Sequence, residues 1–140
     1  MNLMDWGECR RQFIRTVTPD KEKINSILDT VSKRKKFVEN QQVSKDNVSF
    51  IIEGYYEIIK ELLVAILLKN GLKSKNHQCL ISYFYRKHSD REFETNLISE
   101  MSYLRNRLNY YGEAVDISFY EKNKEEIMKI ILFLLLLVKE

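Results

Sequence analysis

Proline is almost absent from this sequence and glycine is scarce: one proline and four glycines occur among 140 residues. A β-rich fold of this length would normally use more turn residues between its strands. Hydrophobic residues make up 44% of the chain, which is enough for a sizeable core. The composition therefore predicts one helical domain spanning residues 1–140.

Cysteine and histidine are also rare, with two of each. Cys9 and Cys79 match no zinc-ligand spacing, and a lone pair is a poor disulfide framework, so we expect free thiols in a reducing cytosol. His77 and His88 have no second histidine or carboxylate pair at metal-ligand spacing. We therefore expect no metal and no cofactor.

A long apolar run and a signal peptide are missing as well. The longest run, residues 130–138, is about half of the roughly twenty residues that a membrane span needs, so it predicts a buried helix. The N-terminus carries Asp5 and no apolar segment, which favours a cytoplasmic protein with no membrane association. The net charge of +3 is compatible with RNA binding but is common in other proteins. Residues 33–36, KRKK, are expected to be a solvated face, with an RNA-facing patch as the alternative.

Capping residues and apolar periodicity divide the chain into a short N-terminal arm, residues 1–17, four long helices and one short helix. Thr18 can cap the first long helix, and Pro19 suits its first position. Gly71 is placed to end the second, and Ser74 or Asn76 can cap the short helix. The predicted helices cover approximately residues 18–41, 47–70, 76–87, 90–110 and 118–140.

The predicted helix 90–110 has two contrasting faces. At helical spacing, the apolar residues expected to face the core are Phe93, Leu97, Met101, Leu104, Leu108 and Tyr111. The opposite face has small polar residues, amides and tyrosines instead of the usual Lys and Glu, namely Thr95, Ser99, Ser102, Tyr103, Asn106, Asn109 and Tyr110. Arg105 and Arg107 border this face. Since Tyr and Arg are favoured at interfaces, we expect a contact surface for a second subunit or a ligand, the alternative being an ordinary exposed face.

Arg105 is the most specific candidate on this surface. Its guanidinium offers a fixed fork of donors that fits a phosphate. No acidic residue lies three or four positions away on the same helix, so the helix itself supplies no ion-pair partner. The alternative role is a bridge to an acid on another helix.

Three segments resemble the HEPN family (higher eukaryotes and prokaryotes nucleotide-binding). They are EGYYEIIKELLVAILLKNG at 53–71, LKSKNHQCL at 72–80 and LRNRL at 104–108, and the resemblance runs from about Asp20 to the end. It implies an all-α fold, an antiparallel up-and-down four-helix bundle with one short extra helix. It also implies a homodimer, formed through the third and fourth long helices, and a small nucleotidyltransferase as partner in a toxin–antitoxin-like pair.

Many members of the family are metal-independent ribonucleases whose motif is an arginine, a polar residue and, a few residues later, a histidine. By this resemblance Arg105 matches the arginine, Asn106 the polar residue and Tyr110 the place of the histidine. A tyrosine has a reference pKa of about 10, against about 6.5 for histidine, which makes it a poor base at neutral pH. We therefore expect a degenerate motif that binds a nucleotide, RNA or a partner rather than cleaving RNA.

The residues expected around this motif are a nucleotide, RNA or subunit surface, namely Ser102, Tyr103, Arg107, Asn109 and Tyr111. Some family pairs attach a nucleotide to a tyrosine just after the motif, so Tyr110 or Tyr111 is a candidate acceptor. His77 is expected to be a turn or cap residue. Two alternatives stay open: a metal-independent ribonuclease toxin with an altered active site, and a non-catalytic structural dimerisation module.

Overall fold

The computed structural model describes residues 3–140, so residues 1–2 of the predicted arm lie outside the described range. Helix makes up 74% of the residues described, which confirms the prediction of a mostly helical protein. A small two-stranded antiparallel sheet was not predicted. The elements within the described range are α1 (Trp6–Gln12), β1 (Ile14–Thr16), α2 (Lys21–Glu39), α3 (Val48–Lys69), β2 (Leu72–Ser74), α4 (His77–Lys87), α5 (Glu92–Tyr111) and α6 (Ile117–Lys139).

α3 is the central helix of the fold, packing against α2, α4, α5 and α6. Its apolar residues occur on most sides of the helix, and most of them are buried. Gly54 lets α2 approach closely, since a Cβ at that position would lie 2.7 Å from Cγ2 of Val38. α3 therefore serves as the shared core element around which the other helices are arranged.

Several helix ends follow from local chemistry. Gly71 has a φ of +75°, which confirms the left-handed residue predicted after α3. Asn76 caps α4 by accepting a hydrogen bond from the backbone N–H of Cys79 at 3.2 Å, also as predicted. The prediction that Thr18 caps α2 is wrong, because Asp20 accepts from the backbone N–H of Lys23 and α2 begins after it.

The two strands join the N-terminal arm to the segment before α4. In the antiparallel pair Ile14 lies opposite Ser74, and Arg15 lies opposite Lys73. Strands of three residues are too short to show the alternating pattern by which strands are found in a sequence. The sheet could therefore not be predicted from the sequence, because it depends on the fold bringing Ile14 and Ser74 together.

A disulfide joins Cys9 of α1 to Cys79 of α4, with a Cα–Cα distance of 5.6 Å and a sequence separation of 70. The prediction of free thiols is therefore wrong. Both cysteines are buried, and the pairing of β1 with β2 is what brings α1 beside α4. Nothing in the spacing of the two cysteines indicates that proximity.

The apolar run at residues 130–138 is buried on one face only. Ile130, Ile131 and Leu134 are buried against the core, whereas Leu132 and Leu136 are exposed. α6 is thus an amphipathic helix that packs on α3. Among residues 3–140 we find no helix with both the length and the apolar character required to cross a membrane.

The disulfide is expected to stabilise the folded chain by restricting the unfolded one. Replacing both cysteines, Cys9→Ser with Cys79→Ser, should lower the free energy of unfolding by about 2–5 kcal/mol. Urea unfolding with and without a reductant measures this effect. The double variant is the control, since its unfolding midpoint should no longer respond to the reductant. An unchanged midpoint for the reduced wild-type chain would contradict the prediction.

Candidate functional site

A group of polar side chains lies where α3, α4 and α5 meet. We call it the polar cluster, and its members are Tyr56, Glu57, Lys60, His77, Gln78, Ser102, Arg105 and Asn106. At its centre the hydroxyl of Tyr56 lies 3.2 Å from Oγ of Ser102 and 3.3 Å from Nδ1 of His77. One tyrosine hydroxyl therefore links the three helices.

These contacts orient the imidazole ring of His77. Nδ1 of His77 accepts from the Tyr56 hydroxyl in one tautomer; when that hydroxyl donates instead to Ser102 Oγ, the N–H at Nδ1 donates to the Tyr56 oxygen. In the second of these neutral tautomers, Nε2 of His77 carries the free lone pair. The imidazole is thus oriented by a buried phenol, and in that tautomer its basic nitrogen is directed away from the phenol.

The segment before α4 places His77 at the first position of the helix. Ser74 Oγ accepts from the backbone N–H of Asn76 at 3.1 Å, and the Asn76 side chain caps the helix. Two residues further on, Cys79 is held by the disulfide. His77 is therefore anchored on both sides, by a capped turn and by a covalent bond.

Burial lowers the pKa of His77 below its usual 6.5, and the positive charges of Lys60 and Arg105 lower it further. Glu57 and Glu61 act in the opposite direction, with a smaller effect. Since both main causes disfavour the imidazolium ion, His77 is neutral at pH 7. A neutral imidazole can accept a proton, which an imidazolium ion cannot.

Arg105 reaches an acid on another helix, but the contact is long. Its Nη2 lies 3.8 Å from Oε1 of Glu57, and its Nη1 donates to Oδ1 of Asn106 at 3.2 Å. Glu57 makes a shorter contact, 2.6 Å, with Nζ of Lys60. Within residues 3–140, Nε of Arg105 has no hydrogen-bond partner. The guanidinium fork is thus only partly used by the chain itself.

The other predicted site residues lie on the outer side and the last turns of α5. Tyr103, Tyr110 and Tyr111 are exposed to 60%, 71% and 68%, and Asn109 is exposed too. Arg107 donates through Nε to Oε2 of Glu113 at 2.9 Å and stacks on the ring of Tyr111. The predicted surface therefore divides into an inner part within the polar cluster and an outer tyrosine-rich part.

The predicted faces of α5 are partly wrong. Ser102 and Thr95, expected to point outward, are buried, whereas Phe93 and Tyr111, expected in the core, are exposed. The hydroxyls of the buried pair are satisfied: Thr95 donates to the carbonyl of Arg91 at 2.7 Å, and Ser102 accepts from Tyr56. Small polar residues with such partners can be buried at little cost in free energy. This explains why the buried face of α5 is rotated relative to the predicted one.

Other members of the polar cluster were not predicted as site residues. No site role was predicted for Tyr56, Glu57 and Lys60, which lie within an apolar helix. His77 was predicted to be a cap or turn residue. A polar strip at positions 56, 57, 60 and 61 of an otherwise buried helix is the signal that could have found them. His88 is the C-cap residue of α4 and packs between the rings of Phe84 and Phe133.

Comparisons with protein-family models, with curated proteins and with solved structures found no match.

The lowered pKa of His77 predicts a pH-dependent stability. Below about pH 6.5 the unfolded chain binds a proton at this residue that the folded chain takes up only at lower pH. The free energy of unfolding should therefore fall as the pH drops through this window, and His77→Gln should reduce that fall. Proton NMR titration of the His77 ring should give a midpoint below 6.5.

His88→Gln is the matched control for this titration, because it removes the other histidine and should leave the His77 midpoint unchanged. A His77 midpoint at or above 6.5 would contradict the prediction.

Proposed function

We propose that this chain is a HEPN-like helical protein that binds phosphate groups of RNA or of a nucleotide at the polar cluster. In this proposal it acts as the helical partner of a small nucleotidyltransferase in a toxin–antitoxin-like pair. The observation that carries the binding role is the position of the partly accessible Arg105 guanidinium beside a neutral histidine. The partner and the pairing rest on the family resemblance alone.

The contacts of Arg105 suit a residue that exchanges partners. Charge-assisted hydrogen bonds are normally about 2.7–2.9 Å long, so the 3.8 Å contact with Glu57 is a weak one. Glu57 stays neutralised by Lys60 when Arg105 turns away. The oxygens of a phosphate offer the fork a bidentate partner of better geometry than this contact with Glu57.

The finer architecture belongs to the same proposal. The four long helices α2, α3, α5 and α6 would form the antiparallel up-and-down bundle, with α4 as the short extra helix. The homodimer would form through α5 and α6, and exposed Tyr103, Leu132 and Leu136 on these helices support it. Tyr110 and Tyr111 would be nucleotide acceptors for the partner enzyme, which their exposure permits.

A cytoplasmic location is also part of the proposal and follows from the resemblance. The Cys9–Cys79 disulfide weighs against it, because disulfides are rare in reducing compartments.

Phosphate binding at the cluster predicts a large loss of affinity on removing the guanidinium. Arg105→Ala should weaken binding of a fluorescently labelled RNA oligonucleotide about tenfold or more, since hydrogen bonds to charged groups contribute about 1.5–3 kcal/mol. Fluorescence anisotropy of the purified protein at fixed salt concentration measures the change. Arg91→Ala is the matched control: it removes the same charge from the other end of α5, about 21 Å away by helix geometry.

Equal affinities for the wild type and Arg105→Ala would remove the proposed binding site and would favour the purely structural dimerisation module.

A metal-independent ribonuclease is the second candidate, and the neutral His77 favours it. Its Nε2 would take the proton of a ribose 2′-hydroxyl, and the resulting oxygen would attack the adjacent phosphorus. The bond from phosphorus to the 5′-oxygen would break, leaving a 2′,3′-cyclic phosphate and a 5′-hydroxyl that receives a proton from the imidazolium. Arg105 would stabilise the charge on the phosphate oxygens in the transition state.

In this version His77 rather than Tyr110 is the base. Tyr110 lies five residues after Arg105, about 140° further around the helix, and is exposed. The ribonuclease candidate therefore predicts RNA cleavage that resists a chelator, is lost in His77→Gln and Arg105→Ala, and persists in Tyr110→Phe. Gel analysis of a labelled RNA measures it. Absence of cleavage by the wild type up to about pH 9, near the upper end of histidine-based catalysis, would exclude this candidate.

A further inference from the structure

A second charged feature lies along the two-stranded sheet, outside the polar cluster. It is a groove with a volume of about 500 Å³, formed by the end of α1, both strands and the residue that caps α4. We call it the basic groove, and the residues used below are Arg11, Phe13, Arg15, Lys73, Lys75 and Asn76. Lys23 of α2 lies beside Lys73 at its margin.

The cations of the basic groove are close together and lack internal partners. Arg15 and Lys73 are directly opposite each other in the sheet, where like charges are destabilising. The charges of Lys23, Arg15 and Lys75 hold the pKa of Lys73 below its usual value, Lys23 having the largest effect. Among the described residues, none of these four cations lies within ion-pair distance of a carboxylate.

Two of the four cations in the KRKK run differ from those of the basic groove in having carboxylate partners. In the KRKK run, Lys33 pairs with Asp29 at 2.9 Å and Lys35 pairs with Glu39 at 2.5 Å. Arg11, which also lines the groove, has the Asp5 carboxylate in its neighbourhood, since both side chains approach Gly7. The cations around Lys73 repel one another, and an anion bound at the sheet would relieve that repulsion.

The remaining groups of the groove indicate the kind of anion. Phe13 is 38% exposed within the groove, and an exposed ring beside cations is how proteins hold an unpaired base next to its phosphates. The side chains of Gln12 and Ser74 also line the groove and can form hydrogen bonds. A simple inorganic anion would leave the aromatic ring without a role.

We propose that the basic groove binds a single strand of RNA, with Arg15, Lys73 and Lys75 on successive phosphates and a base stacked on Phe13. Asn76, the residue before His77, lines the groove, so in this proposal a strand held there continues onto the polar cluster. This inference rests on the proposed RNA binding and adds to it the preference for single strands and the path they follow.

The test is a pair of variants assayed with a labelled oligouridylate by fluorescence anisotropy over a range of salt concentrations. Lys73→Gln with Lys75→Gln should weaken binding and reduce the slope of log affinity against log salt by about 1.4, at about 0.7 per lost phosphate contact. Phe13→Ala should weaken binding about 5- to 150-fold, the effect of losing one stacked base, with the slope unchanged. Circular dichroism of each variant verifies that it is folded.

Lys33→Gln with Lys35→Gln is the matched control, because it removes two charges whose partners are internal, and its affinity and slope should stay close to those of the wild type. An RNA duplex of the same length should bind more weakly than the single strand and should not respond to Phe13→Ala.

The outcomes separate this inference from the proposed function. If both groove variants bind like the wild type while Arg105→Ala binds weakly, the groove has no role and the polar cluster stands alone. If the groove variants bind weakly while Arg105→Ala is normal, the groove is confirmed and the proposed cluster site is wrong. Equal effects of the groove and the KRKK substitutions would show a nonspecific charge effect and would overturn the inference.

Discussion

The burial of α3 between four other helices is the constraint on which the remaining structure depends. A helix in that position carries apolar residues on most sides, and any polar group on it needs a partner inside the protein. Tyr56 is such a group, and its hydroxyl meets His77 and Ser102. The packing of the core and the geometry of the polar cluster therefore both depend on the buried position of α3. A shift of α3 relative to its neighbouring helices would alter both.

The elements that could be predicted are those decided by neighbouring residues. α4 begins at its capping Asn76, and α3 ends before a left-handed Gly71, because both features need only a few residues of context. The strands β1 and β2 could not be predicted, since each is stabilised by the other across the fold. The disulfide between Cys9 and Cys79 depends on that same pairing.

The candidate site was predictable to a smaller extent. Arg105 and Asn106 were identified from the sequence and do lie in the polar cluster. The contacts that complete it join Tyr56 to His77 and to Ser102, residues 21 and 46 positions away. Sequence periodicity also cannot distinguish a serine that is exposed from one whose hydroxyl has a buried partner. The predicted buried face of α5 was therefore rotated relative to the face that is buried in the structure. The charges of the basic groove likewise come from separate segments.

The covalent link between Cys9 and Cys79 makes a closed ring of the first half of the chain, followed by an open tail. α2 and α3 lie inside the ring, so a single backbone break there would leave both pieces attached. α5 and α6 belong to the tail, and beyond the link at residues 88–91 they are held to the ring by packing, hydrogen bonds and an ion contact rather than by a covalent bond. His77 belongs to the ring and Arg105 to the tail. The two residues therefore lie together only while the noncovalent contacts between the ring and the tail are intact.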